Sequence, residues 1–105
     1  MPEITVEKQN ENKDVITFNE PYTFENEEYK EIDLSPVKDL SSQDLINAEK
    51  MFHADGHNAM VPEVTLPYLL IVASILTKKP LSFFTKLPAR EGLKIKNTVL
   101  LFLNN

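Results

Sequence analysis

The rhythm of hydrophobic and polar positions changes twice along this chain of 105 residues. Residues 1–13 are polar and charged apart from Ile4 and Val6, which predicts a frayed end. The stretches "DVITFNEPYTF" (14–24) and "EYKEIDL" (28–34) are rich in β-branched and aromatic residues and predict two strands. Between them "ENE" carries Asn26, a residue that tolerates the left-handed backbone of a tight turn. Residues 14–34 therefore read as a β-hairpin. Pro21 has no N–H to give a ladder, so it belongs at an edge or a bulge.

After the hairpin the spacing turns helical. The tripeptide Asp-Leu-Ser occurs at 33–35 and again at 39–41, and the two copies do different work. The first ends the second strand, which Pro36 then stops. The second starts a helix. Ser41 is placed to accept the N–H of Asp44 while Asp44 reaches back, and Leu40 and Leu45 flank the cap as a hydrophobic staple. That helix runs from Ser42 to about Ala54, with Leu45, Ala48 and Phe52 on one face and Gly56 suited to end it. A loop, "HNAMVPEV", follows.

The next helix begins near Thr65, a fitting N-cap, with Pro67 in its first turn. "YLLIVASIL" (68–76) is apolar nearly all round and marks the central buried helix, too short to span a bilayer. Lys78 and Lys79 favour its C-terminus and Pro80 ends it. "LSFFTKL" (81–87) predicts a short helix burying Leu81, Phe84 and Leu87, and Pro88 opens a last helix from about Ala89 to Leu103. The expected fold is α+β, mainly α: an N-terminal hairpin packed on three longer helices and one short one, in a single domain over 1–105.

The last helix carries apolar residues on more than one side. Leu93 and Leu100 lie on one face, and Ile95, Val99 and Phe102 on another. The ending "VLLFL" (99–103) is apolar on too many faces for one shallow core. Either the helix inserts fully into a small core, or Val99, Leu100, Phe102 and Leu103 form a partner-binding or self-association surface.

Charge sharpens this picture. The net charge is −5, unevenly spread: residues 1–33 carry −7, residues 34–77 carry −3 and residues 78–105 carry +5. An acidic front and a basic back can attract between copies or toward a partner, and are also what a solvated surface with lysines at helix ends looks like. An acidic total without an arginine cluster or basic-aromatic motif argues against nucleic acid. The start of the chain shows no apolar run behind a basic region, so no secretory signal is expected, and a cytoplasmic location fits a chain without cysteine.

Candidate chemistry is thin. "HADGH" sets His53 and His57 four apart, the spacing of two ligands on one helix face, but Gly56 ends the helix between them and no third His or Cys completes a metal site. The carboxylates of "NEPYTFENEEYKEID" alternate along a strand surface and read as a solvated face rather than an acid–base pair. Two glycines cannot build a phosphate-cradling loop, and Ser41 and Ser42 already serve the helix start. No enzyme, cofactor or metal is expected.

One resemblance adds to this reading. Tyr29, Ile32, Asp33, Leu34 and Ser35, then Asp39, Leu40, Ser41, Asp44, Leu45, Ile46, Ala48 and Glu49, resemble the Y-x-x-I-D-L-S and D-L-[ST]-x-x-D-L-I-x-A-E elements of the tail assembly chaperones of tailed bacteriophages and prophages. The layout of "VPEVTLPYLLIVASIL", the "LPA" break and the closing helix is similar as well, so the likeness spans about residues 14–103. Asn26 departs from the glycine expected in the hairpin turn. The resemblance implies a non-catalytic protein of the host cytoplasm that forms homo-oligomers. It would bind the tape measure protein, keep it soluble during tail assembly, and be absent from the finished virion. A small regulatory or adaptor protein is the alternative, and a small-molecule site around Tyr68, Phe83 and Phe84 a third reading.

Overall fold

The computed structural model describes residues 14–104, and the frayed end expected at 1–13 lies outside them. Strands β1 (Val15–Phe24) and β2 (Glu27–Asp33) pair antiparallel, closing from Val15 opposite Asp33 to Phe24 opposite Glu27. The turn is tighter than "ENE" suggested. Only Glu25 and Asn26 stand between the strands, and both are left-handed, with φ of 52° and 69°. Positive φ at both central residues is what a type I′ hairpin requires, and its twist matches that of the strands. Midway the register slips: Phe18 to Pro21 of β1 stand opposite Lys30 alone, so Pro21 occupies a bulge.

Leu34, fully buried, leads into a 3₁₀ turn, Ser35–Asp39, whose Val37 is also in the core. Asp33 Oδ1 accepts the N–H of Ser35 at 2.9 Å, so the first Asp-Leu-Ser turns the chain out of the sheet. The second caps helix α1 (Ser42–Ala54). Asp44 N–H donates to Ser41 Oγ at 3.1 Å, and Ser41 N–H donates to Asp44 Oδ2 at 2.9 Å. Leu40 and Leu45 both pack half-buried against the core, as a staple requires. The other end closes at Gly56, φ 89°. Its N–H reaches His53 O and the N–H of His57 reaches Phe52 O, the paired bonds of a Schellman motif.

A second 3₁₀ turn, Pro62–Val64, delivers Thr65 to cap α2 (Leu66–Thr77). Every residue of α2 from Tyr68 to Ser74 is buried, together with Leu76, so the helix is covered on all sides. The short α3 (Leu81–Thr85) and the long α4 (Ala89–Leu103) complete the chain. Helices α1 and α4 both pack on α2 and make no substantial contact with each other, so they flank it. The fold is α+β, mainly α: a two-stranded hairpin followed by four α-helices around one core.

The hairpin is fastened at two points. The first is aromatic. Phe83 of α3 receives Tyr22, Phe24 and Tyr29 edge-on, with ring centroids 4.9–5.3 Å away, and Tyr22 Oη donates to Phe83 O at 2.8 Å. Phe83 is therefore the hub of the contact, a residue outside the expected core face of Leu81, Phe84 and Leu87, of which Phe84 and Leu87 are buried as expected. Leu81 is only half-buried. The second point is the bulge, held by α4. Asn19 N–H donates to Glu91 Oε2 at 2.7 Å. Lys94 Nζ donates to Thr17 O at 3.0 Å and to Asn19 Oδ1 at 3.1 Å.

Candidate functional site

Helix α4 turns Glu91, Gly92, Ile95 and Val99 inward, a spacing of three and four that makes one buried stripe. Val99 is fully buried, which corrects its assignment to a partner surface: it is held under α4 by the core. Leu100, Phe102 and Leu103 are half-buried and pack against that core, so each offers an edge rather than a whole side chain. The side chain that does stand in water is Leu101, 68 % exposed. Leu93, eight residues back on the same outward side, is exposed too. The expectation of surplus apolar residues on this helix thus holds, with different residues carrying it.

More exposed apolar side chains lie elsewhere and were not anticipated. In the loop and turn ahead of α2, Met60 is fully exposed, and Val61, Val64 and Leu66 are exposed beside it in sequence. Ile46 and Met51 of α1 are exposed as well. The sequence signal was present: "AMVPEVTL" is an apolar segment in a place where a loop would be polar. Exposed carboxylates accompany it, at Glu49, Asp55 and Glu63. Helix α4 carries Arg90 and Lys96 instead, while the ammonium of Lys94 is drawn into the bulge beside Glu91.

The histidine pair is held locally. His53 Nε2 stands 3.7 Å from Glu49 Oε2, its Nδ1 is 3.4 Å from the His57 carbonyl, and His57 lies over the Phe52 ring at 5.2 Å. Among the described residues no three His, Cys, Asp or Glu side chains gather where they could hold a metal ion. The small-molecule site imagined around Tyr68, Phe83 and Phe84 is filled, since all three side chains are buried in the core.

One open cleft of about 380 Å³ lies between the bulge and the start of α4, lined by Asn19, Pro21, Tyr22, Pro88, Arg90 and Glu91. Its carboxylate is committed. Glu91 is only 4 % exposed, and Oε1 lies 3.0 Å from Lys94 Nζ in an ionic contact outside hydrogen-bond geometry. Burial pushes this carboxyl up, but the Asn19 N–H and the Lys94 ammonium, with Arg90 nearby, outweigh it and hold the group below the usual glutamate range. A carboxylate kept ionised by two structural partners is a clamp, not a poised acid. No helix among the described residues is long and apolar enough to cross a membrane. Compared with family models, curated proteins and solved structures, the chain gives no significant match to any.

Proposed function

We propose that this protein is a non-catalytic tail assembly chaperone of a tailed bacteriophage or prophage, acting in the host cytoplasm to bind and solubilise the tape measure protein. The observation that carries the reading is the run of family-like residues from Tyr29 to Lys50, including Asp39, Leu40, Ser41 and Asp44. Those residues do conformational work here, setting the turn out of the sheet and the start of α1. The apolar side chains left in water, Met60 and Leu101 foremost, supply what a holder of amphipathic helices needs. Apolar contact gives such a holder its affinity at roughly 25 cal/mol per Å² before association costs, and charge sets orientation.

The test is co-expression with a tape measure protein from the same genome, read as soluble yield and as a pull-down. Wild type is expected to bring the tape measure protein into the soluble fraction, and the pair Met60→Glu with Leu101→Glu to lose that effect while remaining folded. A tape measure protein that stays insoluble with wild type would end this reading in favour of an adaptor for some other protein.

A further inference from the structure

The sheet has two strands, and its two outer edges meet different surroundings. Leu34 N–H donates to Asp14 O at 2.7 Å, which fixes the alternation of the ladder. Ile16 and Ile32 then face each other as a hydrogen-bonded pair. Thr17 and Glu31, like Val15 and Asp33, turn their N–H and C=O groups away from each other. On the β1 side α4 takes up the outward groups: Lys94 Nζ reaches Thr17 O, and Glu91 accepts the Asn19 N–H. On the β2 side nothing among the described residues hydrogen-bonds to the outward backbone of Glu31 or Asp33. An open cleft of about 570 Å³ lies there instead, its lining including Glu31, Ile32, Asp33, Leu76, Lys78 and Lys79.

We infer that this edge takes an extended segment of another protein as a third strand, with a core that reads basic, apolar, basic; this holds whether or not the protein is a chaperone. An unpaired edge supplies the backbone bonds for such an addition, and the side chains beside it choose the occupant. Glu31 and Asp33 are exposed on either side of buried Ile32. A strand laid along them sets one residue over Ile32 and Leu76 and its two neighbours beside the carboxylates, in either strand direction. The cleft's lysines do not neutralise those acids. Lys79 Nζ sits over the Tyr29 ring at 4.9 Å and the Phe83 ring at 5.4 Å, and no lysine among the described residues pairs with Glu31 or Asp33. On β2 itself Lys30 stands against Glu27, Glu28, Glu31 and Asp33. Charges on an edge guard a sheet against its own kind, and here they exclude a second copy. Pairing β2 with β2 would set carboxylate against carboxylate, and the edge of β1 is already taken by α4.

The probe is a synthetic peptide, acetyl-Thr-Thr-Lys-Val-Lys-Thr-Thr-amide, titrated into the full chain while backbone amide exchange is followed by NMR. In the free protein the amides of Glu31 and Asp33 are expected to exchange fast, and that of Ile32, paired with Ile16, slowly. The peptide is expected to slow Glu31 and Asp33. A form N-methylated through Lys-Val-Lys should slow neither, because it has lost the N–H groups an added strand donates. Glu31→Lys, an exposed change that leaves the ladder intact, should weaken the lysine peptide by roughly fivefold, with circular dichroism confirming the fold. Amides that exchange as before at saturating peptide overturn the inference, as does an N-methylated peptide that slows them equally. A peptide with glutamate in place of both lysines that binds as tightly overturns the basic character of the partner. Slow exchange at Glu31 and Asp33 in the free chain would also overturn it, giving the edge to residues 1–13 or, where protection grows with protein concentration, to a second copy.

Discussion

Replacing Glu91 tests whether the hairpin is held to the helices by the clamp at its bulge. The Asn19 N–H meets the carboxylate at 2.7 Å, and a hydrogen bond to a charged acceptor is worth about 1.5–3 kcal/mol. The ion pair adds less. The Lys94 side chain is 35 % exposed, so water screens it toward the ~0–1 kcal/mol of surface pairs. Glu91→Ala should therefore cost about 2–3 kcal/mol, a fall in Tm of roughly 10–20 °C for a domain of this size. Glu91→Gln keeps an acceptor for Asn19 and loses only the charge, so it should cost about 1 kcal/mol. Lys94→Met removes the contacts to Thr17 O and Asn19 Oδ1 as well. A double-mutant cycle of Glu91→Ala and Lys94→Met should then leave a coupling of about 0.5–1 kcal/mol.

The pH dependence has a definite sign. A carboxylate held below its usual range in the folded state stabilises fully above its unfolded pKa of about 4.3, and that stability is lost as pH falls through the folded value. The gap in urea stability between wild type and Glu91→Gln should be flat above about pH 5 and shrink below about pH 4. Urea unfolding followed by circular dichroism measures both quantities. A cost below about 0.5 kcal/mol for Glu91→Ala, within the range of an ordinary surface change, would refute the clamp. A gap that persists unchanged into strong acid would refute its electrostatic part.

Other outcomes are as direct. Ile71→Asp should abolish stable folding, because Ile71 is 1 % exposed in the all-round buried α2 and an unpaired buried charge costs several kcal/mol; soluble protein that melts normally would remove α2 from the centre. Ser41→Ala should lower stability by about 1 kcal/mol through loss of the capping box, read as a shift in urea midpoint at constant slope. Gly56→Ala meets no atom within 4 Å at its new Cβ but keeps φ at 89°, so it should cost about 1–2 kcal/mol in backbone strain alone. Lys78→Gly, at a non-glycine φ of 61°, should stabilise by up to about 1 kcal/mol, and equal effects of the two changes would rule out strain as the cause. A chelator should leave Tm unchanged, and a drop of several degrees would expose a metal at His53 and His57.

The parts of this fold that could be read from the sequence are those whose chemistry is contiguous. Ser41 and Asp44 are three apart and satisfy each other, so the start of α1 depends on nothing distant. Gly56 ends α1 by backbone geometry, and the run 68–76 announces its burial by being apolar on every side. Turn chemistry was only half legible. Asn26 signalled a left-handed residue, while Glu25, left-handed beside it, carries no such preference and is held there by the closing pair Phe24 and Glu27.

What escaped was set by residues far apart in the chain. Phe83 became the aromatic hub because Tyr22, 61 positions away, returns to its carbonyl, and a five-residue helix is too short to reveal which side it will bury. Glu91, a charge in the first turn of α4, is buried because the bulge presents the Asn19 N–H to it across 72 residues. The closing helix posed the same difficulty in reverse. Its apolar residues occupy two sides, and only the position of α2 decides that Ile95 and Val99 go in while Leu93 and Leu101 stay out. Periodicity can count surplus apolar residues, but it cannot choose among them. The choice matters for function, because a variant at Val99 would damage the core and imitate a lost interface. The same change at Leu101 leaves the core alone and tests the surface itself.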